Sequence, residues 1–302
     1  MVVEGRGRDL RTGRAPADVD VLDEVALTVE IGSEGRILAV NGDGCGSDLS
    51  FLKGLKVGRE VRDAKRKRLP RQISESSLVH RILEELAPLA FLGRGALFSW
   101  EDREPRSHST AHTKQSLNRK VEGLCISYQP GSIALTNEGL SNLDVIHQRL
   151  GFLATDNDDP WAWHEFGEHD GPHFLRLRRQ DVRWEGEDLD IDLAFQDAAK
   201  ANAEGPLFKI YHEYAVRATI DPDLGRIKAI DTTAGTLPFS SCLSAQSGAE
   251  LLIGKSPDRI GSQVSKLLGG TAGCTHLNSA FQTLEDAIGL QRHLRGAGEL
   301  HR

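Results

Sequence analysis

Only one methionine, three tyrosines and four cysteines occur among 302 residues. The cysteines, Cys45, Cys125, Cys242 and Cys274, lie far apart with no CxxC pair. This spacing speaks against a zinc ribbon and against a disulfide framework, and fits a reducing cytoplasm. No apolar run reaches the length of a membrane span: the most apolar stretch, Leu78–Leu97, is broken by His80, Arg81, Glu84, Glu85 and Arg94. The N-terminal arginines are not followed by an apolar segment, so no secretory signal is read there. There is no GxSxG elbow and no phosphate-loop pattern. An excess of positive charge is missing too. The net charge is −7, and the basic runs Arg59–Arg71 and Arg176–Arg183 have the character of solvated faces rather than a nucleic-acid surface.

What is present is a globular composition, 39% hydrophobic and 27% charged, in a length that suits one large or two ordinary domains. Val25, Leu27, Val29 and Ile31 alternate with polar residues, turn through Ser33-Glu34-Gly35, and return along Arg36–Val40 as a hairpin. The segment before Asp20 is expected to be a loosely ordered strand and turn. The hairpin pattern recurs: Tyr214, Val216, Ala218 and Ile220 alternate, Asp221–Gly225 turns, and Arg226–Ile230 returns. Set side by side, the two share Glu24/Glu213, Ala26/Ala215, Ile31/Ile220, Gly35/Gly225, Arg36/Arg226, Ile37/Ile227 and Ala39/Ala229. An amphipathic helix and a longer one follow each, with Leu78/Leu277, Ile82/Phe281 and Leu89/Ile288 in step. The expected fold class is therefore α+β, an internally duplicated unit of antiparallel β-hairpin packed against helices. The expected divisions are 1–92 for a degenerate first copy, 93–174 for a helical and loop insert, and 175–302 for the copy carrying the site.

The copies differ where chemistry would sit. Asp23 stands where the second copy has His212, and Ile73–Ser77 stands where it has Gly273-Cys274-Thr275-His276. Thr275 is read as an N-cap, with His276 in the first turn beside free N–H groups that favour an anion and lower a thiol pKa. The alternative is that Cys274 simply packs as a small hydrophobe. His212 shares the strand parity of Tyr214 and is read as core-facing, able to act with that phenol as an acid/base pair, or else as a satisfied core histidine. Glu213 and Arg217 are read as surface charges on the opposite face. In the middle region, Ala111–Ser127 reads as a helix, and Asp156–Pro172, with Trp161, Trp163 and Phe166, as an ordered loop that packs over something. Leu175–Ala194 reads as two strands around Gly186. Two sets of side chains could hold metal: His164, His169 and His173 with neighbouring carboxylates, and Cys242, Cys274, His276 and His212. Neither has ligand-like spacing, so no metal and no other cofactor is expected.

The segments HEYAVRATIDPDLGRI, LPFSSC and GCTHLNSAFQTL resemble a bacterial domain-of-unknown-function family marked by a hairpin, a proline-cysteine loop and a CTHL-type helix start. The resemblance covers Leu175–Ala287 and extends weakly to Val2–Ala90 and to Leu124–Gly131. Its larger, duplicated members look similar to γ-formaldehyde lyases of lignin-dimer catabolism. The resemblance implies a cytoplasmic, cofactor-independent carbon–carbon lyase that releases formaldehyde from a small aromatic substrate by a retro-aldol step. Its base would be His276 or His212. Tyr214 or Tyr128 would bind a phenol oxygen, Trp161 and Trp163 would line the entrance, and Cys274, Thr275 and Cys242 would complete the substrate site. No nucleic-acid or membrane partner is expected, and homo-oligomerisation is left open. A non-catalytic aromatic-ligand binding protein and a zinc-dependent hydrolase are the alternatives.

Overall fold

The structure is a computed structural model that describes residues 1–13, 18–99, 121–136, 161–162, 164, 171–200 and 209–298. The chain divides into two compact units. The first comprises Met1–Ser99, His164–His169 and His293–Arg302; the second comprises Trp100–Trp163 and Asp170–Arg292. Both contain an antiparallel sheet and helices, so the fold is α+β. No described helix is long and apolar enough to cross a membrane.

In the first unit, β1 (Val2–Thr12), β2 (Val19–Ile31) and β3 (Ile37–Asp43) form a three-stranded sheet in that order. β1 is a full strand, against the expectation of a loose segment, because its backbone pairs with β2 from Val2↔Glu30 to Thr12↔Val19. Its apolar periodicity is weak because Gly5 and Gly7 occupy the inward positions. A Cβ at Gly5 would lie 2.4 Å from Ile82 Cγ2, so the glycine lets the long helix approach the strand. The helices are α1 (Arg59–Arg68), α2 (Pro70–Ser74) and α3 (Leu78–Ser99). Four basic residues end α1, where they complement the helix dipole, and Pro70 opens α2, where its missing N–H is no loss. Val25, Leu27, Val29 and Ile31 pack with Leu78, Leu83 and Leu86 as the core.

In the second unit, β4 (His173–Glu185), β5 (Asp188–Lys200), β6 (Lys209–Asp221) and β7 (Arg226–Ala234) form a four-stranded meander. The pair of strands expected around Gly186 is β4 and β5, and Gly186 has a φ of 63° in the turn between them. Beyond β7 run a series of 3-10 turns (Ser240–Leu252), then α4 (Ile260–Leu267), α5 (Thr275–Gln282) and α6 (Asp286–Gly298), the last of which passes from the second unit into the first at His293. Leu189, Ile191, Leu193 and Phe195 of β5 and Tyr214, Val216 and Ile220 of β6 are buried on one face with Leu277 and Phe281 of α5. The longer helix expected after the second hairpin is broken into α5 and α6 by a 3-10 turn at Thr283–Glu285.

The two hairpins share local detail that only the structure reveals. β2–β3 shifts register between Glu30 and Ile31, and β6–β7 between Thr219 and Ile220. Ile37 N donates to Leu55 O at 2.9 Å and Ile227 N to Lys255 O at 3.0 Å. Gly54 N donates to Ile37 O and Gly254 N to Ile227 O, each at 2.8 Å. β1–β2 breaks register after Asp9↔Asp23, and β5–β6 breaks it after Asp197↔His212.

Candidate functional site

The register of the second sheet builds one row of polar side chains at the end of an apolar face. Arg176 of β4 lies opposite Asp197 of β5, which lies opposite His212 of β6. The next row is Arg178, Phe195 and Tyr214. Alternation places Asp197 on the same face as Leu189, Ile191, Leu193 and Phe195. The bulge after Asp197 shifts the ladder there, a common place for a sheet to re-aim side chains. Asp197 is fully buried and held by two hydrogen bonds, Arg176 Nε to Oδ1 and Nη2 to Oδ2, each 2.7 Å. Both arginines also lie against the Phe195 ring, with guanidinium carbons 5.0 and 5.4 Å from its centroid. These members of the Arg176–Arg183 run are thus committed inside the fold.

The start of α5 is placed against this row. Cys274, not Thr275, is the N-cap: its carbonyl accepts from Asn278 N at 2.8 Å, and no side chain caps the helix. Gly273 is tight because a Cβ there would meet Leu268 O at 2.5 Å, and its own carbonyl accepts from Ile126 N at 2.8 Å. His276 stacks on His212, ring centroids 3.5 Å apart and planes inclined by 15°. His276 Nε2 faces Asp197 Oδ2 at 3.4 Å, while Nδ1 lies 3.9 Å from Cys274 Sγ and 3.4 Å from Thr275 Oγ1. A carboxylate facing Nε2 favours the tautomer that carries the proton there, leaving a lone pair on Nδ1. Tyr214 donates its hydroxyl to Cys274 Sγ at 3.4 Å.

Burial governs the protonation of this cluster. It lowers His276 to about 3, with the Arg176 charge adding to the effect. Burial also takes His212 well below its ordinary value, assisted by His276 and Arg176 and opposed by Asp197. Both rings are therefore neutral at neutral pH. Burial raises Tyr214 well above the usual phenol value, with Cys274 contributing, so the phenol keeps its proton. The expectation that the helix start would lower the Cys274 pKa is overturned. Burial raises it, and the hydrogen bonds from Tyr214 and from the N–H groups of Leu277 and His276 offset only part of that.

The structure thus brings together His212, Tyr214, Cys274 and His276. It adds Asp197 and Arg176, which sequence reasoning missed. The available signal was a carboxylate closing an apolar alternation, Leu189 to Phe195, on the face that should hold only hydrophobes. Thr275 is exposed at the rim. Cys242 is buried nearby, its Sγ 3.0 Å from Ser127 Oγ, with burial raising it to about 12. Tyr128 meets Phe239 edge-on at 6.0 Å and is likewise raised to about 12 by burial. Trp161 is exposed, and Trp163 and Phe166 lie outside the described residues. So do most of the helix expected at Ala111–Ser127 and most of the loop from Asp156 to Pro172.

Glu213 corrects the expectation of a surface charge: it is fully buried, accepting from Gln196 Nε2 at 3.2 Å and from Thr236 N at 3.4 Å. The bulge and the Gly235–Thr236 backbone, which pairs with Glu213, close over that face. Arg217 is exposed as expected, with Asp192 at 3.1 Å. The spacing argument against a Cys/His metal set fails for three of its four members. One ligand atom from each of His212, Cys274 and His276 lies within 4.8 Å of the others, and this set does not include Cys242. Tertiary pairing of β6 with the α5 start creates that proximity, to which sequence spacing is blind. Of the other set, His169, Glu165, Glu168 and Asp170 lie outside the described residues, and His173 Nδ1 is 2.8 Å from Gly171 O.

No curated protein and no solved structure matches the chain. The sheet, the following turns and the helix that together build this cluster fall in residues 174–289, which match the family model described as a protein of unknown function, DUF2889.

Proposed function

We propose that the second unit is a carbon–carbon lyase that acts on a small aromatic substrate and releases formaldehyde, with its chemistry centred on the stacked imidazoles of His212 and His276. The observation that carries the reading is this pair of half-buried neutral rings stacked beside a buried, protonated phenol. A hydroxymethyl group next to an activated aryl carbon loses formaldehyde when its O–H proton is removed. The O–H electrons form the carbonyl, and the broken C–C bond passes its pair to the ring system. In a substrate at the quinone-methide level that pair restores the phenol, so the electron sink lies within the substrate. Neutral imidazole lone pairs serve either route for the proton, direct transfer to a ring or transfer to a group that the rings hold. Positioned proton transfer of this kind contributes about 100- to 10,000-fold.

The test is formaldehyde release from a phenylcoumaran-type dimer by the full chain as purified. His276→Gln and His212→Gln, separately, should lower release by about 100-fold or more while leaving the fold intact. Dimer binding without formaldehyde release by the unaltered chain would replace the lyase with a binding protein.

A further inference from the structure

A histidine that merely fills a core is normally given a hydrogen-bond partner, because a buried polar atom without one is destabilising. The His212 ring is half-buried, and no described residue gives it a hydrogen bond. The neighbours of His276 Nδ1, Cys274 Sγ at 3.9 Å and Thr275 Oγ1 at 3.4 Å, are both long contacts. Two imidazoles and a thiol thus bring their ligand atoms together in a half-buried place, with only long contacts to the His276 ring nitrogen on that side. Their ligand atoms all fall within 4.8 Å. Bonds of about 2.0–2.1 Å to nitrogen and 2.3 Å to sulfur in a tetrahedral ion set the ligand atoms roughly 3.3–3.6 Å apart. The set is thus wider than a filled site by at most about 1.5 Å, a gap that side-chain rotation can close.

We infer that His212, Cys274 and His276 form a three-ligand site for one divalent transition-metal ion of the zinc class, its fourth position left to a water or a substrate oxygen. Two nitrogens and one sulfur suit that class, and three protein ligands with an open position mark a reactive rather than a structural site. The surroundings fit as well. Asp197, anchored by Arg176, faces the far nitrogen of His276, the carboxylate–histidine arrangement that fixes a ligating ring. The Tyr214 hydroxyl and the N–H groups of Leu277 and His276 are placed to stabilise a sulfur that has lost its proton to the solvent on binding. The first unit offers an internal contrast, since Asp23, Glu75 and Ser77 occupy the positions in step with His212, Cys274 and His276.

Cobalt(II) titration of the chelator-treated full chain, without substrate, tests the site independently of any lyase activity. The expected result is one ion per chain, with visible ligand-field bands of tetrahedral intensity and a near-ultraviolet thiolate-to-cobalt band. Zinc should displace the cobalt. Cys274→Ser should abolish the thiolate band with the far-ultraviolet circular dichroism unchanged, and His276→Gln and His212→Gln should each weaken cobalt binding. Asp197→Asn should weaken it by about 10- to 100-fold while keeping the band, the signature of a group that orients a ligand. Failure of the unaltered chain to bind cobalt stoichiometrically, or persistence of the thiolate band in Cys274→Ser, overturns the inference. Metal binding without formaldehyde release would leave this site standing and remove only the proposed lyase.

Discussion

The two units make the same hairpin and use its end differently. In both, a strand pair loses register beside an inward aspartate, Asp9 in the first unit and Asp197 in the second. In the first unit Asp9 pairs with Arg81 of α3, and its cross-strand neighbour is Asp23. In the second, an added strand, β4, supplies Arg176 to Asp197, whose cross-strand neighbour is His212. With the arginine coming from the sheet, the start of α5 is free to present His276 instead. The bulge supplies a position, while the extra strand and the helix start turn that position into a cluster of donors.

The largest expected difference lies in the two aspartates. Arg176 and Asp197 have side chains 4% and 0% exposed, against 25% and 15% for Arg81 and Asp9. Removing one partner of a buried pair leaves a charge without its counter-ion, which costs about 3–5 kcal/mol, whereas partly solvated pairs are worth less, about 1–2 kcal/mol. Asp197→Ala should therefore destabilise the second unit by about 3–5 kcal/mol and Asp9→Ala the first by about 1–2 kcal/mol. Denaturant unfolding with hydrogen exchange, which assigns the loss to one unit, measures both. Equal losses would mean that the bulge, not the burial, sets the role of the aspartate.

The next difference concerns acid. The first unit contains a polar group with no counterpart among the described residues of the second: Lys65 Nζ lies 2.9 Å from His80 Nδ1 and forms an ion pair with Glu84. Burial lowers Lys65, although Glu84 opposes the shift. Burial first, then the Lys65 charge, lowers His80 to about 4, with Glu84 opposing and Arg81 adding to the effect. Unfolded, the ring titrates near 6.5, so between about 6.5 and 4 the unfolded chain binds a proton that the folded chain refuses. The stability is complete above that window and falls as pH drops through it, by about 1–3 kcal/mol. Hydrogen exchange of the first unit should show this loss between pH 7 and 4, and His80→Gln should flatten it. An unchanged slope in that variant would assign the acid sensitivity to other groups.

The shared part of the comparison was the legible part. Alternation and turn residues marked β2–β3 and β6–β7, and Gly186 marked the turn between β4 and β5. What escaped was set by partners distant in sequence. β1 was obscured because Gly5 and Gly7, paired with Leu27 and Val25, occupy the places that Leu193 and Phe195 of β5, paired with Val216 and Tyr214, take in the other sheet, so the inward stripe that announces β5 is missing from β1. Helix α3 fills that space with Ile82 and Leu78. Glu213 was misplaced because parity alone cannot see the backbone of Gly235 and Thr236 folding over it. The candidate residues on β6 and α5 were readable as residue types at suggestive places. Their meeting was not, since strand pairing brings Arg176 and Asp197 to His212, and packing of α5 adds Cys274 and His276.

The smallest predicted effect asks whether the parallel between the hairpins is more than a resemblance of pattern. Gly54 and Gly254 each follow a 3-10 turn, take φ of 86° and 76°, and donate N–H to the first residue of a returning strand or its equivalent, Ile37 or Ile227. A Cβ at either position would meet nothing within 4 Å, so steric crowding cannot separate them. What remains is the intrinsic penalty of left-handed backbone for an L-residue, about 1–2 kcal/mol. Gly54→Ala should destabilise the first unit, and Gly254→Ala the second, by this same amount. Equal losses, read by hydrogen exchange in each unit, would mean that one local device holds both returning strands. A difference well beyond about 0.5 kcal/mol, the usual scatter for independent sites, would show that the two turns only look alike and that their surroundings hold them by different means.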